Sequence, residues 1–215
     1  MLSKSEIDAL DRQVARVHAA TGVRVVAAEI GKADTYDELP WKAFALGVSL
    51  AALTVVGADT VRPYWHTPHS TLLSAIIPLG AGAVAALLAI FVPAFGRLFL
   101  HAARCEVEVG QYAQALFLRR ELFKTPNRDA ILILVSRFER RVHILPDTGL
   151  HGTIGDAECH TVIERMRPAL REARIADALQ AGLLALEELL VRTGYKRASG
   201  AENEPPDSLI EEKGA

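Results

Sequence analysis

Five carboxylates near the centre of the chain have the chemistry of a hard-cation site: Asp129, Glu139, Asp147, Asp156 and Glu158. Side-chain oxygens of this kind hold Ca²⁺ or Mg²⁺, and ligand sites of α/β folds favour crevices at strand ends. Asp129 opens an apolar run and Glu139 lies just past its end. Eight extended residues span more than about 20 Å, so these two cannot share one ion. Asp147, after a chain reversal, returns towards Asp129. The expected metal set is therefore Asp129 with Asp147, helped by Asp156. The competing reading makes Asp147 a turn residue, Asp156 a helix cap and Glu139 a solvated hairpin tip.

Other short matches carry less. Asp147-Thr148-Gly149 matches the aspartic-protease triplet, but one copy supplies one carboxylate where two must share a proton. Leu145–Gly149 spells a sortase signal, yet 66 polar-to-mixed residues follow where a C-terminal hydrophobic span is required. Cys159 and Arg165 have the C-x5-R spacing of cysteine phosphatases. The intervening His160–Glu164 contains no glycine to build a phosphate cradle and reads as helix. His66 and His69 flank Thr67-Pro68 and read as a solvated turn rather than a metal pair.

The elements around these residues divide sharply. Ala43–Ala58 and Ser70–Gly96 are free of charge over 16 and 27 residues. About 20 apolar residues suffice to cross a bilayer, so a transmembrane helical hairpin is expected over 41–99, with spans at about 41–61 and 71–96. Lys32, Lys42, Arg97 and Arg104 flank the outer ends, against Arg62 alone in the connection. That bias puts both termini in the cytoplasm of an inner-membrane protein, and Trp41, Tyr64 and Trp65 would anchor the interfaces.

Before the hairpin, Ser3-x-x-Glu6 forms a capping box, Ile7, Leu10, Val14 and Val17 repeat at helical spacing, and Val23–Ile30 reads as a strand. After it, a helix is expected over 97–123, a doubly covered strand over 129–136, an antiparallel partner over 141–145, and helices over about 156–172 and 175–193. The outcome is an α/β domain with a small mixed sheet, split into 1–40 and 100–197 by the hairpin. Residues 198–215 carry a charge balance of −4 and are expected to form a disordered acidic tail. The remaining charge is too weak for a nucleic-acid partner, and the two cysteines lack metal-ligand spacing.

Val109, Ala113 and Phe117, Thr125, Ile131-Leu132-Ile133 with Ser136, Glu139-Arg140-Arg141-Val142 and Asp147-x-Gly149-Leu150 together resemble the TPM domain family, in its bacterial integral-membrane branch. The resemblance implies a Rossmann-like α/β/α domain and membrane association. For some members it implies acid phosphatase activity or Ca²⁺ binding, and for others an accessory role in membrane complexes. Carried over residue by residue, the resemblance implies Asp129, Glu139 and Asp147 as the motif residues polar enough to serve such a site. Ala130, Cys159 and Ala178 stand where the family has a glycine, an aromatic and a glycine. The functional expectation is a membrane-tethered interaction module with the lipid bilayer and a membrane protein as partners, and a metal-assisted acid phosphatase is the alternative.

Overall fold

The computed structural model describes residues 2–61, 68–195, 209–212 and 214. The chain divides into two units, Met1–Asp34 with Cys105–Ala215, and Thr35–Arg104. In the first, helix α1 (Lys4–Thr21) starts at the expected capping box. The Glu6 N–H donates to Ser3 Oγ, and the Ser3 N–H donates to Glu6 Oε2 at 2.6 Å. It ends at Gly22, whose φ of 75° is the left-handed conformation that glycine adopts without steric cost. Strand β1 (Arg24–Ile30) follows.

The second unit holds α2 (Glu38–Val61), α3 (Pro68–Phe91) and the short α4 (Pro93–Gly96). The second apolar helix stops at Phe91, not near 96. Pro93 disfavours helix at the residue before it, and Val92 is accordingly extended at φ −113°, ψ 95°. Helices α2 and α3 meet through glycines. A Cβ on Gly47 would lie 2.9 Å from the Ala81 carbonyl oxygen, and one on Gly82 would lie 2.5 Å from Val48 Cγ2. Small residues of this kind let apolar helices approach closely. The connection carrying Arg62, Tyr64, Trp65 and His66 lies outside the described residues.

Back in the first unit come α5 (Ala102–Arg119), β2 (Ala130–Ser136), β3 (Arg141–Pro146), α6 (Asp156–Arg171), α7 (Ile175–Arg192) and β4 (Ile210–Glu212). The expected helix over 97–123 is thus three pieces: a 3₁₀ turn at Arg97–Phe99, α5, and a 3₁₀ turn at Leu122–Lys124. The sheet order is β3-β2-β1-β4. Strand β1 runs parallel to β2 and β4, and β2 runs antiparallel to β3, so the sheet is mixed as expected.

Alternation along the buried central strands feeds two cores. Val25, Ala27, Ile131, Ile133 and Val135 pack with α1, α6 and α7. Val26, Ala28, Leu132 and Leu134 pack with Val109, Ala113, Leu116 and Phe117 of α5. The result is a helix–sheet–helix sandwich in which every residue of β2 is buried, the reason its sequence is apolar without interruption.

One expectation is corrected here. Within 198–215, taken as a disordered tail, Ile210–Glu212 forms a strand beside β1. Ile210 joins the α5-side core, and Glu212 Oε2 accepts hydrogen bonds from Tyr112 Oη at 2.7 Å and Arg119 Nη2 at 3.1 Å. The Leu209 N–H donates to Asp11 Oδ1 at 2.8 Å. Residues 198–208 lie outside the described residues.

Candidate functional site

The Asp147-Thr148-Gly149-Leu150 segment is a packed corner. Asp147, 4% exposed, accepts the Thr148 N–H at 2.7 Å and binds the Arg128 guanidinium through Nε at 3.0 and 3.1 Å and Nη2 at 2.9 Å. The Gly149 N–H donates to the Arg128 carbonyl at 2.9 Å, and a Cβ at Gly149 would fall 2.1 Å from the Asn127 carbonyl oxygen. Leu150 is fully buried in the α1/α6/α7 core. Arg128 itself sits at φ 54° with its guanidinium 5.8 Å from the Phe123 ring. The residues that carry the family resemblance here therefore tie the loop before β2 to the loop after β3. They hold the fold.

The structure does not assemble the expected cation site. Asp129 is fully buried; its N–H donates to Thr125 Oγ1 at 3.0 Å and its carbonyl accepts the Arg24 N–H at 3.2 Å. The hydrogen bond from the Asp147 N–H to the Ala130 carbonyl, 2.8 Å, sets Asp147 opposite Ala130, on the α5 side. Strand alternation carries Asp129 to the other side, with Ile131 and Ile133. Asp156 is an exposed residue in the first turn of α6, and it is Glu158 that caps this helix by accepting the Gly155 N–H at 3.0 Å. Among the described residues no group of three His, Cys, Asp or Glu side chains is placed to hold a metal ion. Asp129, Asp147 and Asp156 do not fit Ca²⁺ or Mg²⁺.

Glu139 is not a solvated hairpin tip. It is 8% exposed, accepts the Ala33 N–H at 2.9 Å and a short hydrogen bond from Ser136 Oγ, and so clamps the β2–β3 turn to the segment leaving β1. The Cys159 thiol is pushed up to about 11 by burial first and then by the charges of Asp156 and Glu158. A thiol that stays protonated at neutral pH is a poor nucleophile, so the C-x5-R match is a helix pattern on α6.

What the first unit does offer is an open groove of about 1020 Å³ along the outer side of β3. Glu106 and Val109 of α5 form one wall, and Cys159, Ile163, Arg167 and Leu170 of α6 the other. His143 lies on its floor, its pKa lowered mainly by burial and partly restored by Glu106. Its ring stays neutral at pH 7. Sequence reasoning missed this groove, although Arg140-Arg141 and the i,i+4 pair Arg167 and Arg171 mark its rim.

Residues 100–189 match the family model described as the TPM domain. No curated protein sequence matches the chain. Its fold is similar to the NMR structure of the BA42 protein from the psychrophilic bacterium Bizionia argentinensis, with a TM-score of 0.59 over 99% of this chain and 96% of that one. At 10% identity that likeness speaks to the fold alone.

Proposed function

We propose that this chain is a membrane-tethered TPM-domain interaction module, an accessory factor in the assembly or maintenance of membrane proteins, with both termini and the α/β domain on the cytoplasmic face of the inner membrane. The observation that carries the reading is the apolar helix pair. Both helices are long and apolar enough to cross a membrane. Leu46, Leu50, Leu53, Ile76, Leu79 and Leu87 are exposed along them, a surface that lipid would cover. Each helix of 24 residues is about 36 Å long at 1.5 Å per residue, against roughly 30 Å of hydrocarbon.

Sheet pairing supports the hairpin topology. Strand β1 precedes the spans and β2 follows them, and the two are hydrogen-bonded neighbours from Arg24–Ala130 to Ile30–Ser136. Partners in one ladder must lie on one side of the bilayer. The flanking lysines and arginines support the cytoplasmic side. Reporter fusions test it: a fusion after Ala215 is expected to report cytoplasm and one at Thr67 the opposite compartment, and the chain should resist extraction from membranes by carbonate. Release by carbonate, or the inverted reporter pattern, refutes the reading. Affinity purification from native membranes is expected to bring down a membrane-protein partner.

A further inference from the structure

Among the described residues strand β3 ends the sheet, and its outer edge has a definite hydrogen-bonding phase. In an antiparallel ladder alternate residues bond to the partner strand. The Asp147–Ala130 hydrogen bond and the register place Leu145, His143 and Arg141 in the set that faces β2. Val142 and Ile144 therefore aim their N–H and C=O groups outward, into the groove. Pro146 belongs to the same outward set, where lacking an N–H costs the sheet nothing. It limits the free donors to Val142 and Ile144 at one end, and the Arg140 turn, at φ 53°, bounds the other.

The groove beside this edge is cationic. Arg140, Arg141 and Arg171 line it, and among the described residues no carboxylate pairs with them, whereas Arg167 is held by Glu164 at 2.7 Å. Against these arginines the lining has Glu106 and Asp156. Unneutralised charge of one sign selects a partner of the other. Ile163 and Leu170 of α6 add apolar lining to the groove.

We propose that the β3 edge is the docking site for an extended acidic segment of a partner protein, which adds to the sheet as a fifth strand. The outward groups of Val142 and Ile144 supply the main-chain pairing, and Arg140, Arg141 and Arg171 select carboxylate side chains. From Val142 to Pro146 the edge accepts about five residues at roughly 3.4 Å each. Alternate side chains, acidic and apolar, match the arginine rim and the Ile163–Leu170 wall. This rests on the interaction-module reading and names its partner class.

The test uses the full chain in lipid nanodiscs and a fluorescein-labelled heptapeptide of alternating valine and glutamate, read by anisotropy. Saturable binding is expected, weakened at least fivefold between 50 and 300 mM NaCl. It should weaken at least tenfold in Arg141→Glu/Arg171→Glu, two exposed positions whose exchange leaves the circular dichroism unchanged. That variant should instead prefer the valine–lysine counterpart. N-methylation of alternate peptide amides keeps every charge and is expected to abolish binding. Absence of saturable binding, or equal binding of the N-methylated peptide, overturns the proposal. Capture from native membranes separates its failure from that of the module: a partner retained equally by wild type and the double variant overturns the edge and leaves the module standing, whereas no partner for either, with the peptide bound, overturns the module and leaves the edge.

Discussion

Removing residues 209–215 deletes β4 and is expected to destabilise the α/β domain by about 3 kcal/mol. Ile210 is 8% exposed in the α5-side core. Truncating a buried isoleucine to alanine costs about 2–5 kcal/mol in a well-packed core, and an edge strand of three residues belongs at the low end. Glu212 adds a hydrogen bond from Tyr112 and contacts to Arg119 and Arg120, both about half exposed. With solvent screening the set contributes about 1 kcal/mol. For a domain of this size each kcal/mol moves the melting temperature by about 2–4 °C, so thermal unfolding in nanodiscs should fall by about 6–12 °C. Ile210→Ala should account for most of the loss and Glu212→Gln for the remainder. The Glu212 carboxyl is held below its ordinary value, first by the Tyr112 hydrogen bond, then by Arg119 and Arg120 against burial. Its contribution is therefore complete above about pH 4.5 and is lost as pH falls through the lowered value, so wild type and Glu212→Gln should converge in acid. A truncated chain that melts with the wild type would refute the assignment of 210–212 to the sheet.

Gly149→Ala should cost about 1–3 kcal/mol by forcing its Cβ into the Asn127 carbonyl, while Gly152→Ala, which meets open space, leaves thermal stability unchanged. Equal melting of the two would remove the corner's packing role. Gly82→Leu should separate the apolar helices and make the chain protease-sensitive in detergent, whereas Gly80→Leu should not, since nothing lies within 4 Å of a Cβ there. Glu29, 5% exposed, has its pKa raised by burial, with Arg137 at 3.4 Å opposing and Glu211 adding to the rise. Its ionisation therefore costs stability as pH climbs past 4.5 through the raised value. Glu29→Gln should match wild type near pH 4 and melt higher at pH 8, and a variant that loses ground on going to pH 8 contradicts this.

Elements specified by neighbours in sequence were legible before folding. The Ser3–Glu6 box starts α1, the Leu10, Val14 and Val17 stripe faces the core, and the unbroken apolar run 130–135 is a strand covered on both faces. Elements specified from afar were not. Ile210 is one apolar residue ahead of two acids, and its strand exists because β1 offers an edge 182 positions earlier, at Ala28. Glu139 looked solvated beside Arg140 and Arg141, yet the donor that buries it is Ala33, 106 residues upstream. The carboxylates failed as a site for the same reason. Their spacing along the hairpin brought Asp129 and Asp147 to one end, but the register and the Arg128 contact settle which face each occupies. The groove needed the order of strands, which no local pattern encodes.

The position of the apolar helices within the sheet's sequence order has a biosynthetic consequence. If the two helices cross the bilayer as proposed, a ladder whose first strand leaves the ribosome before them and whose second leaves after them counts membrane crossings by parity. Were one span to insert and the other to slip through, β1 and β2 would be stranded in different compartments, and the 24–136 pairing could not form. Because β4 joins β1 last, with residues 210–212, an orphaned β1 would keep both of its edges open. Misinserted chains would thus present unpaired apolar strand to the quality-control proteases of whichever side they reached. On that topology, completion of the α/β fold would act as the proofreading step for membrane insertion.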